Sequence, residues 1–358
     1  MQNMKLFVAL LFTFCFSLPV LGQGILRVAA TPNPNLFPLL VAMKDDPSLP
    51  VEIVPIGDGS QIDKVFASGN ADALLSMTYT AAEKVISGKV PDLRLVYVGL
   101  WKGFSEITYR KDHIQNLKDL GGKGLIVAGP TGGGKNGGPD FIFRAALKRS
   151  GMTVSDVKVC YMPVMDAVQL LKNNLPLNEN SHCDPTFDFP ASGISLVEPA
   201  SAGMIMQGLM PFSVAKSMER SIDFQYLFTD YMAWPKDQLP HGGLSVLGKV
   251  LDDPIQEATV ATVLAAYKKA VDKINNANII QALIISKTIS EGITHYYRQY
   301  KLKLPAQVIM ASIVGKKLIF RANAAASIQT DLNKFLTEVD GASPPQNFYA
   351  LQLFASTN

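Results

Sequence analysis

An α/β protein of two lobes, each a mixed, mainly parallel sheet with helices on both faces, is predicted by three features of the chain. Short apolar runs alternate with helical patterns over residues 25–98, and the alternation restarts over residues 117–197. A length of 358 residues with 48% hydrophobic content suffices for two modest cores. The run Leu125-Ile-Val-Ala-Gly129 breaks into a glycine-rich turn and then a helical pattern, the unit from which parallel sheets are built.

Residues 25–29 read as a strand, followed by the turn Thr31-Pro-Asn-Pro-Asn35 and an apolar helix over 36–43. Residues 51–54 are the next strand. Ser60 and Asp63 form a capping-box pattern ahead of Ile62, Val65 and Phe66 at helical spacing, with Gly69 as the stop. Residues 73–77 return as strand, a helix is expected over 80–87 and a strand over 93–98. In the second alternation a capped helix near 117–120 precedes the glycine-turn unit, a strand over 157–162, a helix over 166–173 and a strand over 194–197. Residues 174–190 turn polar and read as a surface excursion. Pro254 opens a long helix with Val260, Val263, Leu264, Tyr267, Ala270, Val271 and Ile274 on one stripe, and further helices follow to Val339.

The glycine-rich segment is the expected ligand site. Pro139 suits the first turn of the helix that follows it, and Lys148-Arg149 ahead of Gly151 suits its end. Backbone N–H groups at the helix start face the turn, and glycines let a ligand approach them. The segment is therefore suited to a carboxylate, sulfonate, phosphate or polar ring edge. It falls one residue short of a phosphate-binding P-loop: Gly129, Gly134 and Lys135 fit, but Asn136 stands where a Ser or Thr hydroxyl holds magnesium. The candidate second metal carboxylate lies in Ile194-Ser-Leu-Val-Glu198, whose apolar run a serine interrupts. A P-loop-like nucleotide-binding protein is the weaker alternative.

Enzyme signatures are sparse. His113, His182, His241 and His295 show no paired ligand spacing, so no metal site is expected. Ser213-Val-Ala-Lys216 has the spacing of a penicillin-binding nucleophile, without the Lys-Thr-Gly or Ser-Asp-Asn that accompanies it. No Gly-x-Ser-x-Gly elbow is present, and no cofactor is implied. A net charge of +3 without a basic stripe gives no reason to expect nucleic acid.

Residues 1–22 read as a secretory signal peptide: Lys5, an apolar run over 6–18, then Pro19 and the small-residue context Val20-Leu21-Gly22. Later apolar stretches fall short of the roughly 18 residues a membrane helix needs. The mature chain is thus expected to be exported, periplasmic and free of membrane insertion. Cys15 lacks the small residue that precedes a lipidated cysteine, so no lipid anchor is expected. Cys160 and Cys183 remain, an even pair in an oxidising compartment, read either as a disulfide or as two thiols of which one is buried in a strand.

Four stretches, in this order and spacing behind a leader, carry a resemblance: the run from Gly59-Ser-Gln-Ile-Asp63 to Ala73, Leu117-Lys-Asp-Leu-Gly-Gly-Lys123, Pro130-Thr-Gly-Gly-Gly134 and Val197-Glu-Pro-Ala-Ser-Ala202. The chain resembles the periplasmic solute-binding proteins for sulfonates, nitrate and thiamine-pyrimidine precursors, over nearly its whole mature length. The resemblance implies a type II periplasmic-binding fold whose two lobes close over a small molecule and deliver it to an ABC-type permease. Carried onto this sequence, the ligand contacts are Asn33, Thr78, Tyr79, Thr131, Gly132, Gly133, Gly134, Lys135 and Glu198, on loops after strands that face the cleft. Trp101 stacks on a flat ligand, lines a crossing between the lobes, or packs half-buried. Glu198 pairs with an amino group or caps the next helix. The glycine turn is longer than the family's usual Ser or Thr at the helix start, so the ligand itself is left open.

The reading is an exported, monomeric solute receptor without chemistry of its own, working by ligand-driven closure in which Thr78–Tyr79 and 132–135 form the clamp. A thiamine-pyrimidine-synthesis-like enzyme on a related fold is the alternative. The expected organisation is the leader over 1–22, the first part of lobe 1 over 23–107, lobe 2 over 108–228, and a return to lobe 1 with C-terminal helices over 229–358.

Overall fold

The computed structural model describes residues 24–129, 134–205 and 211–350. The leader expected over residues 1–22 lies outside them. The chain opens with β1 (Leu26–Ala30), α1 (Leu36–Asp45), β2 (Val51–Pro55), α2 (Ile62–Ala67), β3 (Ala73–Met77), α3 (Thr78–Ile86) and β4 (Leu93–Trp101). It continues through β5 (Phe104–Tyr109), β6 (Gly124–Gly129), α4 (Gly138–Arg149), β7 (Lys158–Pro163), α5 (Val164–Asn173), β8 (Gly193–Val197), α6 (Ala200–Ile205), α7 (Phe212–Ser217) and β9 (Met218–Asp223). It then returns with β10 (Leu239–Leu247), α8 (Gly248–Leu251), α9 (Pro254–Asn275), α10 (Ile279–Tyr296), α11 (Ala306–Val314), β11 (Arg321–Ala324) and α12 (Gln329–Asp340).

Two sheets result, with strand orders β11-β4-β10-β3-β1-β2 and β7-β6-β8-β5-β9. Parallel pairing joins β2, β1 and β3 in the first and β7, β6 and β8 in the second. Antiparallel strands complete each: β10 between β3 and β4 with β11 beyond, and β5 between β8 and β9. The chain changes sheet between Trp101 and Phe104 and returns between Asp223 and Leu239. The boundary expected at 107/108 falls inside β5.

Side-chain alternation sets the layers. Leu125 and Val127 of β6 face the side that is continuous with the first sheet's core, while Ile126 and Ala128 face a smaller core with Met162, Ile194, Leu196 and the α5 residues Ala167, Val168 and Leu171. Helix α4 buries Ile142, Phe143 and Ala146 in the larger core, so the two lobes share apolar packing through it. Truncating a ring such as Phe143 in such a place costs about 3–5 kcal/mol. Helix α9 buries the expected stripe from Val260 to Ile274, and Asp253 caps it by accepting from the backbone N–H of Ile255 at 2.9 Å and of Gln256 at 3.3 Å.

Local chemistry departs from the sequence pattern in three places. Ser60 and Asp63 form no capping box; Asp58 accepts from the Ser60 N–H instead, and a short 3-10 turn precedes α2. Residues 78 and 79 do not lie in a loop but begin α3, directly at the end of β3. The strand expected over 93–98 runs on to Trp101, because its neighbour β10 continues beside it as far as Leu239. β10 contains Pro240-His-Gly-Gly243, a turn-like sequence. The glycine at 242 is required there because any Cβ would collide with the Asn35 side chain.

Candidate functional site

Carboxyl ends of strands from both sheets converge on one cavity of about 70 Å³. β1 leads into Pro32, Pro34 and Phe37; β6 ends at Ala128 and Gly129; β7 hands over to Val164 and Met165; and β8 ends at Val197 followed by Glu198, Pro199 and Ala200. Ile293 of α10 and the connection residues Leu302, Lys303 and Leu304 close the remaining side. The walls are predominantly apolar. Among the described residues the charged groups on them are the Glu198 carboxylate and the exposed Lys303.

Glu198 is 1% exposed, yet its charge is answered within the protein. Arg220 of β9 donates from Nη2 to Oε1, and Ser312 of α11 donates from Oγ to Oε2 at 3.3 Å. Arg220 is anchored in turn by Ser105 Oγ at 2.6 Å, Asp223 at 3.1 Å and Ser201 Oγ at 3.1 Å. Burial acts to lower the Arg220 pKa, but the Glu198 and Asp223 carboxylates outweigh it and the value is raised. Both Glu198 oxygens thus have a donor, one from Arg220 and one from Ser312, so neither is left unpaired on burial.

The first turn belongs to the wall by its prolines. Asn33 is turned inward: its Oδ1 accepts from the Asn35 N–H at 2.9 Å and its Nδ2 donates to Thr31 Oγ1. Asn35, which the sequence did not single out, is a buried hub. It donates from Nδ2 to the Ser76 carbonyl at 3.2 Å, accepts the indole N–H of Trp101 at 3.0 Å and, at its own carbonyl, the Tyr267 hydroxyl at 2.7 Å. Trp101 is therefore fully buried in β4, its ring centre 4.9 Å from that of His241, and it takes the packing role rather than the stacking one.

Of the two residues expected to form this side of the clamp, Tyr79 meets α4 of the second lobe. Thr78 Oγ1 donates to the Pro240 carbonyl. The Tyr79 hydroxyl lies 3.3 Å from His241 Nδ1, and its ring meets Phe141 of α4 edge-on at 6.4 Å. A Cβ on Gly138 would stand 2.9 Å from Met77 Cγ, so the two lobes touch there through a glycine. His241 is wholly buried among Tyr79, Trp101 and Phe104, and burial pulls its pKa down to about 3.

Thr131, Gly132 and Gly133 lie outside the described residues. Gly134 takes a left-handed φ of 73° and its carbonyl accepts from Gly137 at 3.1 Å. Lys135 Nζ sits 5.9 Å from the centre of the Tyr161 ring. At the start of α4 the protein supplies an anion of its own: buried Asp140 accepts from the Asn136 N–H at 2.9 Å, from the Tyr161 hydroxyl at 2.6 Å and from Arg144 at 2.7 Å. That carboxylate works against a second anion at the same helix end. A disulfide joins Cys160 of β7 to Cys183 of the polar excursion.

Among the described residues no group of three His, Cys, Asp or Glu side chains is placed to hold a metal, and no helix is long and apolar enough to cross a membrane.

Residues 33–175 match the model of the NMT1/THI5-like family. No curated protein matches the chain in sequence. Solved structures share the fold. The periplasmic aliphatic sulphonate binding protein of Escherichia coli superposes with a TM-score of 0.61 at 15% identity over 88% of this chain and 85% of its own. The alkanesulfonate-binding protein of Xanthomonas axonopodis pv. citri, bound to MOPS, gives 0.58 at 14% identity over 90% and 95%. The periplasmic nitrate-binding protein of Synechocystis PCC 6803 gives 0.58 at 12% identity over 93% and 88%. The two-lobe α/β fold expected from the sequence is thus the one shared with these periplasmic binding proteins.

Proposed function

We propose that the protein is an exported solute receptor that holds a small molecule between its lobes and passes it to an ABC-type permease, without chemistry of its own. The observation that carries this reading is the cavity where strand ends from both sheets meet, the place at which a ligand touches both lobes at once. The match of residues 33–175 and the shared fold with sulphonate- and nitrate-binding proteins support it.

The lining argues for a molecule with an apolar body. Phe37, Met165, Leu302 and Leu304 offer contact area, Glu198 is already neutralised by Arg220, and Lys303 at the rim is placed for an anionic end group. An alkyl or aryl sulfonate or carboxylate meets these terms better than nitrate, which has no body to bury. Neither ATP nor magnesium has a role in this reading.

The test is a thermal-shift screen of the mature protein against alkyl sulfonates, short carboxylates, nitrate and pyrimidines. A ligand at a hundred times its Kd stabilises by about 2.7 kcal/mol through mass action. Met165→Ala and Leu302→Ala, which remove apolar wall, should each reduce the shift. A screen without any shift, or a shift unchanged in both variants, removes the cavity from consideration.

A further inference from the structure

The side of the cavity formed by Ile293, Leu302, Lys303 and Leu304 is carried by a helical hairpin, α10 and α11. α10 packs on α1, on the first sheet's side, and Ser290 Oγ donates to the Leu304 carbonyl at 2.7 Å, which fixes the connection to its own helix. α11 reaches across and lies against α6 of the second sheet. At that contact Ser312 and Glu198, both fully buried, form the hydrogen bond from Oγ to Oε2.

We propose that the α10–α11 hairpin is a lid over the cavity and that the Ser312–Glu198 hydrogen bond is its latch, so that Glu198 acts as a positioning residue instead of a counter-charge for the ligand. The proposal rests on the reading of this cavity as the ligand site. Three features favour it. The hairpin contributes apolar cavity wall, so lifting it exposes the ligand space. Glu198 keeps its ion pair with Arg220 whether or not Ser312 is present, so opening the lid leaves no buried charge unpaired. A single hydrogen bond of 3.3 Å to a carboxylate is strong enough to bias a contact and weak enough to reverse. The opposite edge between the lobes is built otherwise, with Arg149 holding Glu338 and Asp230 together.

The experiment uses the ligand-free mature protein. In Ser312→Ala, amide exchange over 306–314 should rise about tenfold while exchange over β6 stays at the parent rate. In a background of Ala128→Cys, which places a thiol on the covered cavity wall, modification by a maleimide should rise by a similar factor when Ser312→Ala is added. Unchanged exchange over 306–314, an equal rise in β6, or identical labelling rates would each overturn the latch. Because no ligand enters, these outcomes leave the receptor reading standing, whereas a screen that finds no ligand removes the receptor reading and, with it, the lid's role over a ligand.

Discussion

Arg149 and Glu338 form a two-pronged ion pair, Nε to Oε1 at 2.6 Å and Nη2 to Oε2 at 2.7 Å, that ties α4 of the second lobe to α12 on the first. The same guanidinium donates to the Leu227 carbonyl at 2.8 Å and to Asp230 in the returning crossing, and its carbon lies 4.6 Å from the centre of the Phe228 ring. Tyr231 adds its hydroxyl to Glu338 at 2.6 Å. Arg149→Ala should lower stability by about 2–3 kcal/mol in urea unfolding, because the largely buried Glu338 carboxylate loses its two-pronged donor. Arg149→Lys should recover only a fraction, since an ammonium cannot fork between two oxygens. A loss below about 0.5 kcal/mol in the alanine variant would show that the pair joins nothing of consequence.

His241 makes the fold acid-sensitive. Its folded pKa of about 3 lies below the unfolded 6.5, so the neutral ring contributes stability that is present above pH 6.5 and lost as pH falls toward 3. The loss should run at about 1.4 kcal/mol per pH unit in that window. His241→Gln should flatten this limb of the stability curve, although its stability at pH 8 will be lower for lack of the ring contacts. Equal acid slopes in the two proteins would assign the sensitivity to other groups.

Glu106 acts in the opposite direction. It sits in the centre of β5 opposite Ser195, fully buried, and neither carboxylate oxygen finds a hydrogen-bond partner among the described residues. Burial raises its pKa well above 4.5, so its stability contribution is complete below pH 4.5 and is lost as pH rises toward the folded value. Glu106→Gln should therefore raise the melting temperature at pH 7, with a gain that shrinks as the pH approaches 4. A variant less stable than the parent at pH 7 would contradict this.

The Gly138 contact sets how closely the lobes approach. Gly138→Val should cost about 1–3 kcal/mol, because its side chain enters the space of Met77 and Tyr79. Small-angle scattering should show an increased radius. A variant of parental stability and radius would mean that the lobes do not meet there in solution.

Reduction offers a fifth test. The Cys160–Cys183 bridge spans a sequence separation of 23, for which chain entropy predicts about 3 kcal/mol. Cys183→Ser should lose an amount of that order in urea unfolding, and a reductant should have no further effect on it.

Much of the fold could be read from periodicity. The parallel strands β1, β3 and β6 are apolar runs bounded by turn residues, and the α9 stripe repeats at helical spacing, because residues buried on a regular element must recur at that element's own period. The antiparallel strands β5, β9 and β10 escaped. Met218-Glu-Arg-Ser-Ile-Asp223 is too polar for the pattern, and Pro240-His-Gly-Gly243 looks like a turn until the Asn35 side chain beside it is known.

The candidate site divides along the same line. A chain segment alone pointed to strand ends and helix starts as the place for a ligand, since backbone polarity there is a local property. Whether a polar side chain faces the ligand or another residue is a pairwise matter between positions far apart in sequence. Trp101 meets Asn35, Tyr79 meets His241, and Glu198 meets Arg220 and Ser312, each across at least one intervening strand or helix. A buried hydrogen bond of this kind leaves no periodic trace, because only the folding of both segments brings donor and acceptor within 3.5 Å.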